Sequence, residues 1–549
     1  MEVAAGQPRI QLLGGAGARW REWMGCTLAW LPAAVVILPL LVTVWRAFQP
    51  SDGAWAQVVE HRLPSYLAHS AGLTAGVVCL ALFFGVSSAW AISVYEFRGR
   101  RTLEWAMLLP LAVPGYVAAL AYVDALDSLV PAYVWIRTHH GLAAFRSAQA
   151  IAPWVLSIVV LGATLYPYVF LSCRAAFGRR APGAVEAARM LGAGRLRIFW
   201  GIAFPLARPA IAAGGSLIAL ETLNDVGVVA AFGLPTLTPG IFRVWGEGHP
   251  GVAMRLALLL LCFALLSGAA ERLMRGRRSY AELGDTGRIM PRQSVGWGGW
   301  LRVWFFCGMP LLLGLIIPGV RLIRWAILSW EVIEWNVFRL AAVHSLTVAF
   351  ATVALIVIAT ILLVAGRRAW RAPSLRIAQR LSLLGYASPA ALVAVGVGFV
   401  VSKVANHVPG AAGIALSASA AGLVIASFIR YLAAGVQPAT AGVERVSVNL
   451  HDAARTLGSG PLRALWRIDL PLVRPALFAG ATLAFLDVLK ELPMTLVLRP
   501  FGYETLTTLI FRLADQARVP EASVPGLFLV VCSLPGLIPL TYLMRNTVR

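Results

Sequence analysis

Long apolar runs separated by short polar stretches dominate the chain from end to end. Runs long enough to cross a bilayer fall near 26–47, 68–93, 103–125, 150–173, 205–231 and 251–270. After a polar, arginine-rich stretch at 271–294 they resume near 300–323, 342–365, 380–404, 411–435, 471–498 and 523–544. A spanning helix needs about 20 predominantly apolar residues, so the pattern predicts about twelve transmembrane helices. The expected fold class is all-α integral membrane. Composition agrees: the 549 residues are 59% hydrophobic and 13% charged, with a mean hydropathy of +0.75, where a soluble chain carries about 25% charged residues. The first run follows Arg9, Arg19 and Arg21 and exceeds a signal peptide's apolar core, so it reads as an uncleaved first span.

The net charge of +22 does not argue for nucleic acid, because the arginines cluster in short segments between apolar runs. Alternate loops hold Arg98, Arg100 and Arg101; Arg174, Arg179 and Arg180; Arg272 to Arg278; Arg367, Arg368 and Arg371; and Arg430 to Arg445. The opposite loops are poorer in arginine, with Arg137, Arg146, Arg321 and Arg324 as exceptions. Basic loops stay on the cytoplasmic side, which predicts cytoplasmic termini.

A second periodicity lies above the spans. Glu186-Ala187-Ala188-Arg189-Met190-Leu191-Gly192, running on to Trp200, Phe204-Pro205 and Pro209, has a twin in Asp452-Ala453-Ala454-Arg455-Thr456-Leu457-Gly458, followed by Trp466, Leu470-Pro471 and Pro475. The copies keep a constant offset of 266 (452 − 186). His69-Ser70 matches His344-Ser345, and Pro114 matches Pro389, at an offset of 275 (389 − 114). Two halves of six spans, 1–285 and 286–549, enter the membrane the same way round. Parallel repeats imply a pseudo-two-fold axis along the membrane normal, with a pathway where the halves meet.

Each copy of the polar segment reads as a short helix opened by an acid, a glycine turn, and a second short helix carrying Trp200 or Trp466 with Arg197 or Arg463. Small residues admit another surface closely, and an aromatic gives it an anchor. A helix lying on lipid headgroups is the alternative, but two copies on one side of the membrane favour a docking segment. Lys403 and Lys490 are the only lysines and neither follows a glycine, so no P-loop is present. No Ser-His-Asp arrangement or zinc-protease motif points to an enzyme, and the six scattered cysteines lack metal-ligand spacing.

The segments at 186–209 and 452–475 resemble the EAA loop of permease subunits of binding-protein-dependent ABC importers. The resemblance implies a fused permease of the type I importer kind in a bacterial inner membrane, with both coupling helices in one chain. Glu186, Ala187, Ala188, Leu191, Gly192 and Trp200, with Asp452, Ala453, Ala454, Leu457, Gly458 and Trp466, would then dock a dimer of separate ATP-binding subunits. Those partners would carry ATP and Mg, leaving this chain without a cofactor, and an extracytoplasmic binding protein would deliver the solute.

Asp487-Val488-Leu489-Lys490-Glu491-Leu492-Pro493 and its counterpart Glu221-Thr222-Leu223-Asn224-Asp225-Val226-Gly227 resemble fused iron(III) permeases. Acids inside spans are costly and mark functional positions. Glu221 and Asp225, like Asp487 and Glu491, are spaced i, i+4 and are expected on one helical face, aimed at the shared axis. With Lys490 they form the candidate pathway or gate. Ferric iron favours oxygen ligands, although the same acids could simply brace helices. Thiamine, sulfate and polyamine permeases are the near alternatives, and a secondary transporter the distant one.

Overall fold

The computed structural model describes residues 16–50, 53–180, 182–275, 292–370, 373–410, 419–444, 456, 463 and 465–537. Eleven helices among them are long and apolar enough to cross a membrane, and a bent pair, Arg100–Ala112 with Gly115–Leu126, makes a twelfth span turned by 86°. The spans fall in the expected order, but several end where hydropathy alone continues them.

In the first half, α1 (Ala16–Ala47) and α2 (Leu63–Val94) precede the bent span, whose second arm is α3 (Gly115–Ser128). The bend follows from Pro114: a residue before proline is pushed out of the helical region, and Val113 is extended at φ −91°, ψ 110°. Next come α4 (Val130–Arg180), the short α5 (Pro182–Met190) and α6 (Phe204–Asn224). Two brief helices, α7 (Gly227–Ala231) and α8 (Leu237–Gly246), then lead into α9 (Pro250–Arg275).

The second half repeats this plan. Its first span is α10 (Trp297–Leu311) with α11 (Ile317–Ser329), followed by α12 (Trp335–Trp370), α13 (Ala390–His407), α14 (Ala421–Glu444) and α15 (Leu470–Leu489). The short α16 (Pro493–Leu498) and α17 (Leu506–Asp515) match α7 and α8, and α18 (Val519–Ser533) closes the described chain. Ser70 Oγ on α2 accepts the Leu237 amide at 2.9 Å, and Ser345 Oγ on α12 accepts the Leu506 amide at 2.7 Å. The matched serines of the sequence repeat thus hold the first amide of α8 and of α17, groups that a helix leaves without an internal partner.

The halves exchange their first spans. Helix α1 packs on α12 and α13 of the second half, and α10 packs on α2 and α4 of the first. Tyr122 Oη on α3 donates to the Leu313 carbonyl of that exchanged span at 2.6 Å. A two-residue parallel pairing, β1 (Tyr95–Glu96) with β2 (Gln293–Ser294), ties the chain entering α10 to the end of α2. The two sequence repeats therefore interlock in their packing.

Candidate functional site

The acidic pairs do not sit on continuous helices. Helix α6 stops at Asn224, and Asp225 leaves it with extended backbone at φ −69°, ψ 131°. Its carboxylate instead caps α7: Oδ1 accepts the amides of Val228 at 2.8 Å and Val229 at 3.4 Å. In the second half α15 ends at Leu489, and Glu491 Oε1 accepts the Met494 amide at 3.0 Å at the start of α16. The expected i, i+4 faces are corrected accordingly. A carboxylate that can bond nearby amides competes with helix continuation, and Pro493 cannot supply the amide that continuation needs.

The breaks enclose a cavity of ≈ 190 Å³, lined by Glu221, Asp225, Asp487, Lys490 and Glu491 together with Asn224, Arg430 and four tyrosines. All five expected pathway residues thus meet in one place, where the halves face each other, and their roles divide. Asp225 and Glu491 are committed to capping, and the second Glu491 oxygen accepts from the Tyr431 hydroxyl. Lys490 Nζ donates to the Leu111 carbonyl at 2.8 Å. Glu221 and Asp487, equivalent in the repeat, make no hydrogen bond or ion pair with the described residues and remain open to the cavity. Among the described residues no three carboxylate, imidazole or thiol groups converge tightly enough to hold a metal.

Arg430 is the residue that the sequence reading misplaced. It lies inside α14, buried, with Nη1 donating to the Ser388 carbonyl at 2.8 Å, and not in a basic loop. Its neighbours in sequence, Ser427-Phe428-Ile429 and Tyr431-Leu432, are apolar enough to show that this arginine stands alone within a span. Arg174 is likewise buried on α4, where its Nε pairs with Glu104 at 2.9 Å. Asn224 and Tyr431 were also passed over, because a lone amide or phenol in an apolar run carries little sequence signal.

At the end of the bundle where α2 and α9 finish, the segment 182–204 stands outside the apolar spans. Helix α5 begins at Pro182, so Glu186 lies in its middle and not at its N-terminus, which corrects the expected dipole role. Val185, Ala188 and Ile198 pack together against Val94 and Trp90 of α2. Gly192 adopts φ 78° and closes α5: its amide donates to Arg189 O at 2.9 Å, and Ala193 N donates to Ala188 O at 3.0 Å. These paired bonds satisfy carbonyls that the helix end leaves open.

The opposite side of that segment is bare. Met190 and Leu191 are each 88% exposed, Leu196 76% and Trp200 60%. Trp200 lies in a π-turn, Phe199–Ala203, that runs into Phe204-Pro205. The second copy has the same device in Leu465–Asp469 before Leu470-Pro471, with Trp466 62% exposed. Widening the helix just before a proline relieves the ring's clash with the preceding turn. Asp452, Ala453, Ala454, Leu457 and Gly458 lie outside the described residues.

Residues 81–278 match the family described as "Binding-protein-dependent transport system inner membrane component". Over 519 residues the chain is 23% identical to the Fe(3+)-transport system permease protein FbpB 2 of Haemophilus influenzae, covering 92% of this chain and 96% of that one. It is 26% identical over 214 residues to the ferric transport system permease protein FbpB of Actinobacillus pleuropneumoniae, covering 38% of this chain and 27% of that one. It is also 27% identical over 206 residues to the sulfate transport system permease protein CysT of Salmonella typhimurium, covering 37% of this chain and 69% of that one. Twelve spans in two matched halves, both breaking around one acid-lined cavity, fit that assignment throughout. Residues 81–278 thus match an inner-membrane component of binding-protein-dependent transport, and along its length the chain resembles fused, multi-pass permeases of the ABC importer class with the type I fold, iron(III) transport permeases among them.

Proposed function

We propose that this permease carries ferric iron inward, receiving it from an extracytoplasmic binding protein and drawing its power from a dimer of separate ATPase subunits. The observation that carries the reading is the pair Glu221 and Asp487, one from each half, lining a shared cavity with no hydrogen bond or close ion pair to a described residue. Four carboxylates against the two cations Arg430 and Lys490 favour a cationic cargo. Carboxylate and phenol oxygens are donors that suit a hard trivalent ion.

The exposed surface of Met190, Leu191, Leu196 and Trp200 is the face offered to one ATPase subunit, and Trp466 marks the second. ATP and Mg belong to those subunits. With the arginine-rich ends on the cytoplasmic side, the termini and both docking segments face the cytoplasm. ATP-driven closure of the ATPase dimer then rocks the halves 1–285 and 286–549 about the cavity.

Sulfate is the second reading, favoured by the likeness to CysT over 206 residues. The test is uptake of labelled ferric iron and of sulfate into proteoliposomes holding the permease, its cognate ATPase and binding protein. Ferric uptake that depends on ATP and falls in Glu221→Gln and Asp487→Asn supports the proposal; sulfate uptake with no ferric uptake overturns it.

A further inference from the structure

Three consecutive residues in each half perform the same three tasks. Asn224 and Lys490 reach into the opposite half, Asp225 and Glu491 cap the next short helix, and Val226 and Leu492 are buried at 3% and 1% exposure. The offset is 266 for all three (490 − 224). Asn224 Oδ1 accepts the Ala390 amide at 3.0 Å, next to Pro389, and Lys490 Nζ reaches Leu111 O at 2.8 Å, three residues before Pro114. Each half therefore holds the proline break of the other. Just beyond these bonds the halves touch: a Cβ on Gly227 would lie 3.2 Å from Leu492 Cδ2 and 2.3 Å from Tyr116 Cβ, leaving no space there.

On the alternating-access reading above, we propose that Asn224 and Lys490 are positioning residues for transport, a reciprocal pair of ties that keep the extracytoplasmic side of the cavity shut until ATP binding breaks both. The geometry suits a tie better than a path. Both bonds end on backbone groups of the other half, so they sense the relative position of the halves and not the cargo. Both bonds lie at the wall of the cavity, and breaking one exchanges a protein partner for whatever water the opened cavity admits, at a net cost of about 1 kcal/mol. The closed state is thereby favoured while each tie costs little to re-form at the end of a cycle. Lys490 is the stronger member, because an ammonium donor makes a charge-assisted bond.

The experiment measures ATP hydrolysis by the reconstituted permease–ATPase complex with and without binding protein, for Asn224→Ala, Lys490→Met and the conservative Asn224→Asp and Lys490→Arg. Loss of one tie is expected to raise unstimulated hydrolysis roughly tenfold in Asn224→Ala and Lys490→Met, so that stimulation by the binding protein collapses. The conservative variants keep an acceptor or a donor and should raise the unstimulated rate less than the truncated ones. Unchanged unstimulated rates in both truncated variants, with the complex intact, overturn the proposal. Failure of the unsubstituted permease to hold an ATPase at all would instead sink the importer reading.

For a variant that does not assemble with the ATPase, spin labels at exposed Glu247 and Glu334 on a cysteine-free permease report the separation of the halves directly. A shift toward longer distances supports the ties, and an unshifted distribution counts against them.

Discussion

Asp225 Oδ1 accepts the Val228 amide at 2.8 Å, so this buried-path carboxylate is already occupied as a helix cap, unlike Glu221 four residues before it. The four acids should therefore separate into two classes. Asp225→Ala removes an acceptor at a helix start and is expected to cost about 1 kcal/mol of stability, whereas Asp225→Asn keeps an acceptor and should be milder. Glu221→Gln and Asp487→Asn disturb no hydrogen bond and should leave thermal unfolding unchanged while lowering ferric uptake at least about tenfold, if each charge contributes on the order of 1.4 kcal/mol to passage. Unfolding temperature and uptake measured on the same four preparations check the division; equal effects of all four on stability would refute it.

Gly192 offers a sharper probe of the docking segment. Nothing lies within 4 Å of a Cβ placed there, so substitution meets no clash and acts only through the backbone at φ 78°. Gly192→Val should cost about 1–2 kcal/mol locally, while Gly192→Asn should cost less because asparagine tolerates that conformation. Co-purification of the ATPase is expected to fall for the valine variant and to persist largely for asparagine. Equal retention by both would mean that the turn does not orient the docking face.

The spans and their pairing into halves were legible because hydropathy and repeat offset are carried by dozens of residues at once. The breaks at Asp225 and Lys490 were not, because they depend on single side chains that bond backbone groups, and the apolar run 205–231 resumes at Val226 beyond the polar residues, so it reads as one span. Arg430 was counted with loop arginines for the converse reason: proximity in sequence to Arg445 hid its burial within α14. The five candidate path residues named from sequence all line one cavity. Their division into caps, a cross-half donor and two acids without a hydrogen bond required coordinates, since spacing cannot say which oxygen already has a partner. The exchanged first spans had no sequence signal at all.

Trp200 tests which side of the docking segment matters. It is 60% exposed yet rests on Phe199 and Phe204, with ring centroids 5.0 and 5.1 Å away. Trp200→Ala should change permease stability little, because most of the ring already faces solvent. It should weaken ATPase binding by about 2 kcal/mol or more if the ring is a central anchor. A binding titration with purified ATPase measures this, and Trp466→Ala should behave alike. If neither change alters affinity, the apolar surface of Met190, Leu191 and Leu196 carries the contact without the aromatic.

Ala517 provides a test that depends on no functional assignment. Its φ of 58° is the single positive value among described non-glycine residues. It stands where the first half has Gly248 (517 − 248 = 269), and the two turns share their bonding: Gly248 N donates to Trp245 O and His249 N to Val244 O, while Ala517 N donates to Ala514 O and Arg518 N to Leu513 O. Only a residue without a Cβ adopts this conformation freely, and an alanine there is strained by roughly 1 kcal/mol, partly offset in glycine by the larger entropy of its unfolded chain. Ala517→Gly is therefore expected to raise the unfolding temperature or leave it level, and Gly248→Ala to lower it. The two substitutions place the same pair of residues in exchanged halves, so their effects should carry opposite signs. A fall in unfolding temperature for Ala517→Gly would show that Arg518, which bonds Glu521 and Glu334 immediately after the turn, holds the backbone without strain.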